Sequence, residues 1–78
     1  MFSKELFGER LRILRQEKKE TQDKLAELLD VTKTQISDME RGRRTTTVEK
    51  LSLLCDHFNV TADYLLGLTD KRRPLEKE

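Results

Sequence analysis

Apolar positions recur along most of the chain with the spacing of a helix, and no stretch alternates apolar and polar residues with the period of a strand. Phe7, Leu11 and Leu14 stand at i, i+4 and i+7 behind Ser3, whose hydroxyl can cap a helix, so the pattern predicts a first helix over Ser3 to Lys18. The polar run Glu17-Lys18-Lys19-Glu20 interrupts that period. Thr21 then offers a second cap ahead of Leu25, Ala26 and Leu29, which places helix 2 from about Gln22 to Leu29. Asp30 tolerates the left-handed backbone of a turn, and Thr32 with Gln35 three residues later reads as a capping box. Helix 3 therefore carries Ile36 and Met39 inward and ends near Gly42.

Val48, Leu51, Leu54, Cys55 and Phe58 form the next buried stripe, with Thr46 and Glu49 as a further capping box and Asn59 as the closing residue of helix 4. Thr61 caps a last short helix containing Tyr64, Leu65 and Leu66, and Gly67 stops it. The fold class is all-α: a compact bundle of five helices occupying residues 1–69, followed by a charged C-terminal tail, 70–78, that contains Pro74 and is expected to be flexible.

Composition narrows the function more than the fold. A chain of 78 residues holds one domain and buries only about 60% of its unfolded surface. With 35% hydrophobic and 40% charged residues, and apolar runs of at most three, it falls far short of the roughly 20 apolar residues of a membrane span, so a cytoplasmic protein without membrane association is expected. The single Cys55 and single His57 supply neither a disulfide nor a zinc ligand set, and no nucleophile, acid and base recur at a meaningful spacing. No enzyme, no cofactor, no metal and no small-molecule ligand is therefore expected. The net charge of +1 requires that any binding to a polyanion rest on local positive charge.

Helices 2 and 3 are too closely joined to run antiparallel; helices linked this way cross at about 90–120° and leave the polar face of the second one projecting. Gln22 opens helix 2, Ala26 suits a close crossing, Val31 follows the turn, Ile36 and Met39 point inward, and Glu40-Arg41-Gly42 ends the unit. Farther on comes Val60-Thr61-Ala62-Asp63-Tyr64-Leu65-Leu66-Gly67. In these positions the chain resembles the phage repressor and Cro-like (XRE-type) helix-turn-helix family, from about Phe7 to Asp70. Asp30 stands where that family usually has Gly, and Glu20 where it often has an apolar residue, which suggests a more exposed loop.

The resemblance implies a lambda-repressor-like domain that binds double-stranded DNA. It would act as a sequence-specific transcriptional regulator, most simply a repressor, and a homodimer would place helix 3 in the major groove of an inverted-repeat operator. An antitoxin or protein-interaction module on the same fold is the alternative. Lys33 and Thr34 occupy the first exposed positions of helix 3, the end that reaches base edges in this docking mode. Gln35 is equally a base-reading amide and the closing residue of the Thr32 capping box. Ser37 and Asp38 lie one turn on; Asp38 is repelled by phosphates unless it accepts from a cytosine amino group or pairs with an arginine.

Phosphate contacts fall to Gln22 in the first turn of helix 2, to Thr32, and to Arg41, Arg43, Arg44 and Thr45 beyond helix 3; a solvated glutamine and an ordinary polar loop are the plain alternatives. The resemblance further implies an Arg15–Glu40 ion pair tying helix 1 to helix 3 and a small core role for Cys55; of Tyr64, Leu65, Leu66 and Leu68, part must pack on helix 1 or 4, and the resemblance implies a two-fold dimer contact from the remainder. His57 points away from the helix 4 stripe and is expected in solvent.

Overall fold

The computed structural model describes residues 1–75. It contains α1 (Lys4–Glu17), α2 (Gln22–Leu29), α3 (Lys33–Glu40), α4 (Val48–Phe58) and α5 (Ala62–Leu65), with no strand among the described residues. Each helix begins on a hydroxyl: Ser3, Thr21, Thr32, Thr47 and Thr61 accept from the backbone N–H three residues on, satisfying a donor that the first turn leaves without a helical partner.

The helix ends share a second device. After α1, α2, α3 and α5 one residue turns left-handed, and its own N–H and that of the next residue reach back to carbonyls of the last turns. The pairs are Lys19 to Gln16 with Glu20 to Arg15, and Asp30 to Glu27 with Val31 to Ala26. Gly42 to Met39 with Arg43 to Asp38, and Gly67 to Tyr64 with Leu68 to Asp63, complete the set. Asp30, at φ 55°, thus performs the turn that glycine would otherwise make.

The core joins Phe7, Leu11 and Leu14 of α1 to Leu25, Ala26 and Leu29 of α2, Ile36 and Met39 of α3, and Leu54, Cys55 and Phe58 of α4, closed by Val60, Tyr64 and Leu65. Two expectations are corrected here. Helix 4 is capped by Thr47, not by Thr46 with Glu49, so Val48 becomes the first residue of the helix and stands 81% exposed rather than in the stripe. Tyr64 and Leu65 lie within the protomer's own core, at 8% and 0% exposure, so neither is open to a partner; Leu66 is half-buried, and Leu68 alone of the four is exposed.

The polar connections are also more enclosed than their composition suggests. Glu20 does not sit in an open loop, nor His57 in solvent: the Glu20 carboxylate, 7% exposed, receives His57 Nε2 at 2.7 and 3.0 Å and lies 3.6 Å from Lys24 Nζ. Burial alone would push the Glu20 pKa up, but the hydrogen bond and charge of His57, with Lys18 and Lys24, outweigh it and hold it below the usual 4.5. The pairing therefore stabilises the fold above that pH and fades as pH falls through the lower folded value. Glu20→Gln is expected to lower the melting temperature at pH 7, with the gap to the parent closing in melts recorded below about pH 4.5.

The chain does not leave the body at Asp70. Arg10, itself buried, donates to the carbonyls of Tyr64 and Thr69 and to Asp70 at 2.9 Å, and stacks 4.3 Å from the Tyr64 ring. Arg72 pairs with Glu17 at 2.7 Å, Arg73 O accepts from Thr61 N, and Leu75 N donates to Asn59. These bonds link residues 70–75 to α1 and to the junction of α4 and α5; positions 76–78 lie outside the described residues.

Candidate nucleic-acid interface

Only Asp30, Val31 and Thr32 separate α2 from α3. The left-handed turn at Asp30 closes α2, Val31 packs against the core, and Thr32 immediately opens α3 with both bonds of a capping box. Thr32 Oγ1 accepts from Gln35 N at 3.1 Å, while Gln35 Oε1 accepts from Thr32 N at 3.0 Å. With Ile36 and Met39 anchored below, Lys33 and Thr34 are left exposed, and Ser37 and Asp38 partly so, on the outward side.

The capping box decides part of the chemistry of Gln35. Reading adenine takes both the carbonyl and the amino group of the side chain; the carbonyl is already bonded to Thr32, so Nε2 is the group left to reach outward. The Thr32 hydroxyl, acting as acceptor toward Gln35, keeps its own proton free for a phosphate oxygen.

The far end of α3 is set by Gly42, whose φ of 76° suits glycine and whose N–H closes on Met39 O. Arg43 N then bonds Asp38 O, which turns the chain sharply and sends Arg43, Arg44 and Thr45 along the side of α3. Gln35, Arg44 and Thr45 line one shallow groove between the helix and this loop. Among the described residues Lys33, Arg41, Arg43 and Arg44 are all exposed and none has a carboxylate partner, whereas Arg10, Arg15 and Arg72 are paired. Four unneutralised cations of a nearly neutral chain thus stand at the start of α3 and just past its end. Asp38 also forms no ion pair among the described residues.

Gln22 is not simply solvated. Its Nε2 donates to Glu40 Oε1 at 3.0 Å, and Glu40 is gripped by Arg15 through Nε at 2.6 Å and Nη2 at 3.0 Å, while Arg15 Nη1 donates to Glu20 O. The ion pair is covered on both sides, with side chains 14% and 4% exposed, and the hydrogen bond and charge of Glu40 raise the Arg15 pKa against its burial. The family resemblance implied this pair; its link to Gln22 spans 18 positions and leaves no local signal in the sequence. The same holds for Gly8: a Cβ built there would meet Met39 O, and Glu40 O at 2.7 Å, so the absence of a side chain is what lets α1 cross α3. Among the described residues no group of three His, Cys, Asp or Glu is placed to hold a metal, and no helix is long and apolar enough to cross a membrane.

A tight helix pair with its second member exposed, capped and ringed by free cations is a helix-turn-helix DNA-binding domain. The helix-turn-helix family model matches residues 11–65. The HTH-type transcriptional regulator PrpR of Mycobacterium tuberculosis is 38% identical over 91% of this chain and 15% of its own length. The HTH-type transcriptional regulator YobD of Bacillus subtilis, itself uncharacterised, is 35% identical over 88% of this chain and 62% of its own. The chain therefore spans less than two thirds of these curated relatives. The P22 c2 repressor, whose crystal structure was determined with a synthetic operator, superposes with a TM-score of 0.73 at 34% identity, over 78% of this chain and 92% of that one. The chain belongs to the XRE-type (Cro/C1-like) helix-turn-helix family, a non-enzymatic family of DNA-binding transcriptional regulators.

Proposed function

We propose that the protein is a sequence-specific transcriptional regulator, most simply a repressor, acting in the cytoplasm as a homodimer that lays α3 of each protomer into the major groove of an inverted-repeat operator. The observation that carries this reading is the exposed start of α3, Lys33 and Thr34, flanked by the unpaired Arg41, Arg43 and Arg44. Lys33 donates to guanine O6 and N7, Thr34 and Ser37 reach neighbouring base edges, and Gln35 contributes its free amino group. Asp38, which forms no ion pair among the described residues, is suited to a cytosine amino group. Thr32, Arg41, Arg43, Arg44, Thr45 and Gln22 hold the sugar-phosphate backbone and so fix the register of α3.

One α3 reads only a few base pairs, and two of them about 34 Å apart read a site long enough to be distinctive. With Tyr64 and Leu65 enclosed, the two-fold contact of this reading narrows to Leu66 and Leu68, the latter 50% exposed. The division of labour is tested by comparing two variants on a panel of mutated operators at several salt concentrations. Lys33→Ala should relax preference at one or two base pairs, at a cost of about 1–3 kcal/mol on the parent site. Arg43→Ala should weaken every sequence alike and lower the salt slope by about one. Indistinguishable behaviour of the two variants contradicts the assignment.

A further inference from the structure

The bond between Gln22 and Glu40 joins the start of α2 to the last residue of α3. A glutamine amide has two donor hydrogens on nitrogen and an acceptor oxygen, and in solvent it turns freely between them. Glu40 removes that freedom. Both oxygens of its carboxylate accept from the two-pronged grip of Arg15, and Oε1 also accepts from Gln22, so it is the amino end of Gln22 that faces it. One Nε2 hydrogen is then fixed on Glu40, and the other diverges from it by the planar geometry of the amide.

We propose that Glu40 is a positioning residue for DNA binding: it aims the second Nε2 hydrogen of Gln22 at a phosphate, with Arg15 cancelling the charge that would otherwise repel that phosphate. The inference rests on the reading of Gln22 as a phosphate ligand. Three features of the site support it. Glu40 is 4% exposed, so its carboxylate is screened from the backbone it serves. Gln22 is only half-buried and sits on the first turn of α2, directly after the Thr21 cap, where backbone N–H groups also favour an anion. Glu40 immediately precedes Arg41, so the orientation of Gln22 is tied to the same helix end from which the phosphate-binding loop departs.

The consequence is pre-organisation. An amide already locked loses no rotamer freedom on binding, whereas a free one does, a difference of about three- to tenfold in affinity for one side chain. Arg15 and Glu40 are accordingly more than a strut between α1 and α3.

The test is a methylphosphonate scan, in which single operator phosphates are made neutral and affinity is measured by fluorescence anisotropy. The parent should show one phosphate per half-site whose neutralisation weakens binding and whose effect disappears in Gln22→Ala. The same loss of sensitivity, with about three- to tenfold weaker binding, is expected for Glu40→Gln. Because Glu40→Gln strands a part-buried arginine and can unfold the chain, the double variant Arg15→Met with Glu40→Met is measured beside it; replacing such an ion pair by apolar side chains of similar size is often neutral for stability. It should behave as Gln22→Ala does. Retention of the parent's phosphate profile in the folded double variant overturns the positioning role while leaving DNA binding intact. A parent that binds no duplex overturns the DNA reading itself.

Discussion

Gly8→Ala is expected to lower the melting temperature by more than about 10 °C, corresponding to at least about 3 kcal/mol. The added methyl would fall on the carbonyls of Met39 and Glu40. Those oxygens belong to the last turn of α3 and cannot rotate aside as a flexible side chain does, so α1 and α3 must separate. Separation uncovers Phe7 and Leu11 on one side and Ile36 and Met39 on the other, and it carries the recognition helix away from the rest of the site. In an exposed helix the same change would stabilise, because alanine is the better helix former by about 1 kcal/mol. The sign of the effect is therefore diagnostic: a circular-dichroism melt that is unchanged or raised would mean that the crossing is not tight.

Arg15→Ala should be nearly as damaging, at about 3–5 kcal/mol, through charge rather than volume. It leaves the Glu40 carboxylate, whose side chain is almost fully covered in the parent, with only the neutral amide of Gln22 against it, and it withdraws the donor to Glu20 O. Arg15→Met combined with Glu40→Met should melt close to the parent, since it removes both charges at once. The contrast between the single and the double variant in denaturant titrations distinguishes a buried ion pair from an incidental surface contact. Equal, small losses in both would place the pair in solvent.

These two positions also mark where sequence stopped being informative. What could be read was local. Thr21 and Thr32 announce α2 and α3 because a cap and the N–H it satisfies are three residues apart, and the stripes of Leu25, Ala26 and Leu29 or Ile36 and Met39 lie within single helices. Asp30 could be placed in the turn because few residues accept its backbone conformation. The exposed cations of α3 and its loop followed from those boundaries.

What could not be read depends on residues far apart in the chain. Gly8 carries no signal of the helix that crosses it. Glu20 and His57 are 37 positions apart, and Arg72 is 55 from Glu17, so each looks like a surface charge until the fold brings its partner. Three consecutive threonines before α4 all make plausible caps, and packing of Leu51, Leu54 and Phe58 selects Thr47. In a helix of four residues, α5, periodicity cannot say whether Tyr64 and Leu65 face the core or a partner; the stacking of Arg10 and the enclosure of Leu65 decide it.

The central claim, that α3 and its flanking cations read a specific duplex, is tested most directly by selection from a pool of random duplexes with the purified protein at moderate salt. Enrichment of an inverted repeat whose half-sites lie one helical turn apart, about 34 Å, is the predicted result. Failure to enrich any duplex over the starting pool would contradict it.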